Sequence, residues 1–321
     1  PTRRSSDLLI GGSPIRYWTD FQGKAMCKLL DKTRPESAPH KAYTAFRYAT
    51  PLTKDALVEM KADGVTHAIA FSQFPQWSCT TSGSSMNELW RQVHAEGLST
   101  TFKWSIIDRW SLHDRFIEAV TDRIETVLTS KLKPDERSTA IIVFSAHSVP
   151  MKVVGKGDTY TTEVAATVQA VMQSWRNKVD ANKISGILPG QSNHYIMAWQ
   201  SKVGFLPWMV PSTSTVIKSL GGCHVIIVPI SFTSDHIETL FEINIEYLEE
   251  ATAAGIKTFN CTEGLNGSAI FSNALAEIVQ NHLDRKTNHS PQYKMKCLGC
   301  VKLMCRKLIN PYHTNTQPKT M

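Results

Sequence analysis

No apolar run in this chain approaches the ~18 residues that a membrane-spanning helix needs, so no transmembrane segment is expected. No secretory signal opens the chain. Lysine and arginine are in excess, with a net charge of +7 and a pI near 9.0, but they form no dense patch. A nucleic-acid footprint is therefore not expected. The excess charge fits other acidic partners, such as an anionic membrane surface or a carboxylate-bearing substrate. Cysteine is sparse: Cys27, Cys79, Cys223, Cys261, Cys297, Cys300 and Cys305. An odd, scattered set is not a disulfide framework, and it points to a reducing compartment. No internal repeat is visible.

What is present is a strict alternation of short apolar runs and longer amphipathic stretches. Strands are predicted at Ala42–Ala49, Thr66–Phe71, Thr101–Ile107, Ala140–Ser145, Tyr195–Trp199, Val225–Pro229 and Lys257–Asn260. Helices are predicted at Lys54–Ala62, Ser84–Glu96, Leu112–Ser130, Tyr160–Arg176, Thr213–Leu220 and Ser268–Leu283. Such alternation predicts an α/β fold of two doubly wound, Rossmann-like halves with parallel sheets covered by helices. The expected division is residues 10–150 and 151–284, with 285–321 as a linker, cysteine-rich extension and tail. Residues 1–9 are set aside, because Thr-Arg-Arg-Ser-Ser-Asp-Leu reads like a translated sequencing adaptor. Asn177–Asn193, with Gly186 and Pro189-Gly190, reads as a surface loop.

The strand at Val225 runs into a helical pattern that begins at Ser234, a good N-cap. At α-helical spacing Asp235, Glu238, Glu242 and Glu246 share one stripe, bordered by His236. A solvated acidic face would look the same. However, like charges at i,i+4 cost ~0.2–0.5 kcal/mol per pair, and no Lys or Arg in this helix relieves them. The stripe therefore suits a site that handles cations or protons. His147 follows the strand Ala140–Ser145, and ligands in α/β folds bind beyond strand carboxyl ends. The hydroxyl-rich loop Phe74–Ser85 opens a helix and can hold an anion or simply cap it. Aromatics near Gly and Pro in Trp199–Trp208 suit the wall of a flat apolar ligand's pocket, or a core. Cys297-x₂-Cys-x₄-Cys305 brings three thiolates together on a Gly299-containing turn. An iron–sulfur cluster and a zinc site would each want a fourth ligand.

Ser145-Ala-His-Ser-Val-Pro-Met151, Trp199-Gln-Ser-Lys-Val-Gly204, Phe232-Thr-Ser-Asp-His-Ile-Glu-Thr-Leu240 and the Cys79 loop resemble ferrochelatase, in order, from Ile10 to Cys305. The resemblance implies an enzyme that inserts Fe²⁺ into protoporphyrin IX to form protohaem, with His147 as proton acceptor. It implies that Asp235, His236 and Glu238 face it, continued by Glu242 and Glu246, and that Ser13, Arg47, Tyr48, Trp110 and Trp208 line the substrate pocket. The C-terminal cysteines resemble the animal type, which implies a [2Fe–2S] cluster on Cys297, Cys300, Cys305 and the remote ligand Cys79. It also implies a homodimer bound peripherally to the matrix side of the mitochondrial inner membrane. The chain departs from the family at Phe74, where a Tyr is common, and at His113-Asp114, where a His pair is common. The family's first strand and the apolar lip after it are unmatched, so the N-terminal half is expected to lack that strand. Two other readings use the same scaffold: a non-enzymatic iron–sulfur sensor or carrier, and a chelatase for another divalent metal.

Overall fold

The structure, a computed structural model, describes residues 12–285 and Gly299. The chain forms two compact units that interleave along the sequence. One holds residues 20–110, 153–160 and the described part from 275 onward; the other holds the described part up to 19, with 111–152 and 161–274. The sequence reading instead divides the chain once, at residue 150.

In the first of these units a parallel pair, β1 (His67–Phe71) and β2 (Lys103–Ile107), runs in register from His67 opposite Lys103 to Phe71 opposite Ile107. Helices α1 (Ile15–Thr33), α2 (Thr53–Ala62) and α3 (Ser82–Ala95) accompany it. Leu57, Met60, Ala68, Ala70, Trp90, Val93 and Trp104 belong to its core. The Asp55 carboxylate accepts the Leu52 N–H at 2.8 Å, satisfying a donor at the start of α2. The expected strand Ala42–Ala49 is not formed. Only Phe46 makes a bridge, to Leu52, and its N–H donates to the Pro51 carbonyl at 2.8 Å. The chain here turns back on itself, so its alternating pattern never meets a sheet edge.

The other unit is built on a four-stranded parallel sheet, and the expected α/β class with parallel sheets holds. Its strands are β3 (Ile141–His147), β4 (Tyr195–Gln200), β5 (His224–Pro229) and β6 (Thr258–Cys261), in spatial order β4-β3-β5-β6. β3 and β5 are almost wholly buried, which explains their near-continuous apolar sequences. Helices α4 (Asp114–Lys131), α5 (Pro134–Arg137), α6 (Met151–Val154), α7 (Tyr160–Asp180) and α8 (Thr213–Lys218) precede a π-helix at Glu238–Glu246. α9 (Tyr247–Ala253) continues it, and α10 (Ala269–Asp284) comes last. The chain leaves β3 toward β4 on one side and then crosses to β5 and β6 on the other. The carboxyl ends of β3 and β5 therefore flank a topological switch point, where open α/β sheets bind ligands.

Of the stretch Asn177–Asn193, only residues up to Asp180 are helical; the rest is the expected surface loop, pinned at a few buried points. α7 continues to Asp180, and Ile184 and Ile187 are buried. The Arg137 guanidinium donates to the carbonyls of Thr129 and Ser185, at 2.8 and 2.9 Å. Asn193 accepts from the Trp175 indole at 2.9 Å and donates to the Arg137 and Ala140 carbonyls. Gly186 has φ +84°, and a Cβ there would lie 2.2 Å from the Pro134 carbonyl oxygen, so only glycine fits.

Candidate active site

His147 is the last residue of β3 rather than a residue just past the strand. Its backbone N–H donates to Ser231 Oγ at 3.0 Å, which ties β3 to the segment after β5. Nδ1 lies 2.7 Å from the Ser148 carbonyl. A carbonyl only accepts, so Nδ1 carries the proton and Nε2 keeps its lone pair. The sequence supplies this lock through chain geometry alone, because the acceptor belongs to the next residue.

The helix after β5 does not follow the α-period. Glu238–Glu246 is a π-helix, an uncommon form that recurs at functional sites. Its i→i+5 turn holds more than four residues, so a spacing of four falls short of a full turn instead of overshooting it. Glu238, Glu242 and Glu246 therefore still share one stripe, which drifts slowly in the opposite sense to that of an α-helix.

Asp235 precedes the helix and is not part of that series. Its carboxylate accepts Asn266 Nδ2 at 2.6 Å, Thr239 Oγ1 at 3.1 Å and the Gly264 N–H at 3.2 Å. Three donors commit it to holding the 264–266 turn. Gly264 packs so closely that an added Cβ would meet the Asp235 nitrogen at 2.7 Å. His236 is buried, and its Nδ1 lies 2.5 Å from Glu238 Oε2. The Glu238 backbone N–H also donates to the same Nδ1 at 3.1 Å, so His236 is tied to Glu238 through both its backbone and its carboxylate. Phe232 packs against both imidazoles, with ring centroids 4.5 Å from His236 and 6.4 Å from His147.

Glu242 is the hub. Its carboxylate accepts the Ser201 N–H at 2.8 Å, Ser201 Oγ at 2.5 Å, Gln200 Nε2 at 3.2 Å and the Tyr247 hydroxyl at 2.8 Å. Ser201 sits at φ +62°, a conformation that costs ~1–3 kcal/mol for a residue with a Cβ. Its two charge-assisted bonds to Glu242 offset that strain. Gln200, paired with His147 in the sheet register, also accepts from Ser145 Oγ at 2.6 Å. Burial, followed by the charge of Glu242, pushes the Tyr247 phenol up, so it remains a donor. The Glu246 carboxyl is also raised, first by burial and then by Glu242.

The family model described as Ferrochelatase matches residues 3–283. The chain belongs to the ferrochelatase family. It is 48% identical over 303 residues to "Ferrochelatase, mitochondrial" of Schizosaccharomyces pombe, covering 94% of this chain and 68% of that protein. The Gallus gallus protein of the same name is 45% identical over 311 residues, covering 96% and 73%. The Homo sapiens one is 45% identical over 301 residues, covering 92% and 68%. Among solved structures, SirB from Bacillus subtilis with Fe³⁺ matches with a TM-score of 0.55 at 12% identity, covering 84% of this chain and 93% of that one. At that identity the likeness bears on the fold alone, and it is a chelatase fold.

Other ferrochelatase-like positions are more dispersed. Trp208 joins Pro150 in an antiparallel bridge, and its buried indole N–H has no partner among the described residues. Ser13 is exposed ahead of α1. In the two-stranded unit, Arg47 donates to Ser84 Oγ and lies 4.9 Å over the Tyr48 ring, which is 81% exposed. Trp110 is a core residue there: it is buried, donates its indole N–H to the Ser72 carbonyl at 2.9 Å and packs edge-on to Phe71. Asp114, where the family often has His, is the first residue of α4, where a carboxylate complements the helix dipole. Cys79 is half-buried, and its N–H donates to the Asp158 carboxylate at 2.7 Å. Cys297, Cys300 and Cys305 lie outside the described residues. Among the described residues, no three His, Cys, Asp or Glu side chains form a ready metal cage.

Composition and period did not single out Gln200, Ser201, Tyr247 or Ser231. The signal available for the first two was their place directly after the strand predicted at Tyr195–Trp199. The structure also separates the roles of two glutamates. Glu242→Gln puts an amide among four donors and is expected to cost ~1–3 kcal/mol. Glu246→Gln should act in the opposite direction. Its carboxyl is raised in the fold, so the wild-type protein loses stability as pH climbs from the unfolded glutamate value through the folded one. Glu246→Gln should therefore show a higher urea midpoint than wild type at about pH 8, with the gap closing near pH 4. A higher midpoint for Glu242→Gln would contradict its role as hub.

Proposed function

We propose that the chain is a ferrochelatase, a lyase that inserts Fe²⁺ into protoporphyrin IX and releases two protons. The observation that carries this reading is the tautomer of His147, with Nδ1–H held by the Ser148 carbonyl and Nε2 free to accept a proton. Metal insertion must strip the pyrrole N–H protons and turn the nitrogen lone pairs toward one face. An imidazole does this near neutral pH. A pocket that bends the macrocycle lowers the same barrier by using binding energy from elsewhere on the substrate.

The released protons, or the incoming iron, need a route. His236 Nδ1 lies 2.5 Å from the Glu238 carboxylate, and Glu242 and Glu246 continue the carboxylates along the π-helix. Gln200 joins the two ends, pairing with His147 in register and donating to Glu242. Arg47, with Ser13 and Tyr48, is suited to the propionates through a charge-assisted bond. The unpartnered Trp208 indole N–H is a further contact for a flat ligand.

A [2Fe–2S] cluster fits the donor set of Cys79, Cys297, Cys300 and Cys305. Gly299 lies between two of those cysteines, and its N–H donates to the Lys156 carbonyl at 2.9 Å. Two residues on, Asp158 holds the Cys79 backbone. Bound there, the group would supply a one-electron centre and metal bonds that add to folding free energy. The family's animal-type relatives suggest a homodimer on the matrix side of the mitochondrial inner membrane, bound peripherally.

The test is direct. Purified protein given protoporphyrin IX and Fe²⁺ under anaerobic conditions should consume porphyrin fluorescence and produce haem absorbance. Folded protein that retains the cluster but forms no haem would favour a sensor or carrier instead.

A further inference from the structure

Helix α1 carries Lys24, Lys28 and Lys32 at successive intervals of four residues, so they share one face. All three are exposed, and none has an ion pair or hydrogen bond to a described residue. They border a groove of about 470 Å³ whose remaining lining is Cys27, Asp31, His40, Lys41 and Ala42. The groove has one carboxylate, Asp31, and it is already used: it accepts the His40 N–H and faces His40 Nδ1, each at 2.8 Å. Lys41 is answered outside the groove by Glu59 at 2.9 Å and Asp63 at 2.5 Å. Three ammonium groups thus face a concavity whose one carboxylate is already engaged by His40.

A solvated lysine face on a helix would show the same spacing, but it would need no opposing wall. Here the wall is fixed. α1 approaches the segment at Ala42 so closely that a Cβ on Gly23 would lie 2.8 Å from the Ala42 Cβ. The absence of a side chain at residue 23 sets the groove's width before any ligand arrives. Its volume is in the range of small-molecule sites. Lysine binds phosphate as a point charge and tolerates several geometries, so three in a row suit more than one phosphate oxygen.

We propose that this groove binds a phosphate-bearing anion of the size of a phospholipid headgroup or a soluble pyrophosphate. The inference does not rest on the haem-forming reading, since no active-site residue lines the groove. The full chain would be sedimented with vesicles of phosphatidylcholine, with and without phosphatidylglycerol, and titrated separately with inorganic pyrophosphate. Replacing Lys24, Lys28 and Lys32 together by Glu should weaken binding by on the order of a hundredfold. Lys61→Glu, Lys131→Glu and Lys257→Glu combined makes the same change in net charge outside the groove and should weaken it far less. If the groove triple fails to fold, Lys28→Ala alone should still cost about fivefold. Binding confined to the anionic vesicles assigns the headgroup as ligand, and binding of pyrophosphate in solution assigns a free phosphate. Binding of neither probe, or equal losses in the two triple variants, would overturn the proposal.

Discussion

Turnover in His147→Ala should fall by ~10²–10⁴-fold, the usual contribution of a positioned proton acceptor. The variant removes Nε2 and leaves most of its surroundings in place. The bond to Ser231 is made by the backbone N–H of residue 147 and survives truncation. The ring is only half-buried, but Ser148 is buried, and leaving its carbonyl without a partner is expected to cost ~1 kcal/mol and lower the urea midpoint modestly. If Nε2 is the base, the pH–rate profile should also lose its acid limb. Near-wild-type turnover with an unchanged profile would remove His147 from the chemistry and leave it a structural strand-end residue.

Cys79→Ser should abolish cluster binding almost completely, bleaching visible iron–sulfur absorption and leaving the chain nearly free of bound iron. A hydroxyl is a poor stand-in for a thiolate, and a four-thiolate cluster does not persist on three. Stability should fall with it, because metal bonds that close a fold contribute to folding free energy. The loop itself should remain, since Asp158 holds the backbone of Cys79 rather than its sulfur. Cys27→Ser is the matched comparison. Cys27 is buried, and burial with the nearby Asp31 pushes its thiol up to about 11, so it has little thiolate to offer a metal. A cluster that survives Cys79→Ser would mean a different fourth ligand, and zinc in place of iron would mean a different metal.

Much of the frame was legible in the sequence because burial on two faces leaves continuous apolar runs. Val225–Pro229 and Ala140–Ser145 could hardly be read as anything but central strands. His147 was legible for a related reason: it stands at a strand's carboxyl end, where α/β sheets put their sites. The π-helix was not legible. Its sequence offers α-helical spacing, and the wider turn becomes evident only in the structure, where Glu242 is held by Ser201 and Gln200 from outside the helix and by Tyr247 from the turn after it. Ala42–Ala49 misled for the opposite reason. It alternates as a strand should, but its Phe46 donor is taken by a local carbonyl. Periodicity reports which side chains could share a face; it does not report whether a neighbouring strand exists to meet them. Asp235 shows the same limit, since spacing grouped it with the glutamates and three local donors claimed it.

The anchored connection after α7 has a practical bearing on where foreign sequence can enter this protein. An epitope tag or a protease needs a stretch of backbone that can be drawn out without tearing buried bonds. Within 181–193 four points resist this, because Ile184, Gly186, Ile187 and Asn193 are each held against the body of their unit. The exception is the tip around Leu188, which is 66% exposed, and Gly190, whose surroundings are open. A peptide spliced between Leu188 and Gly190 should be carried like a flag, whereas the same peptide a few residues earlier would pull Gly186 away from Pro134.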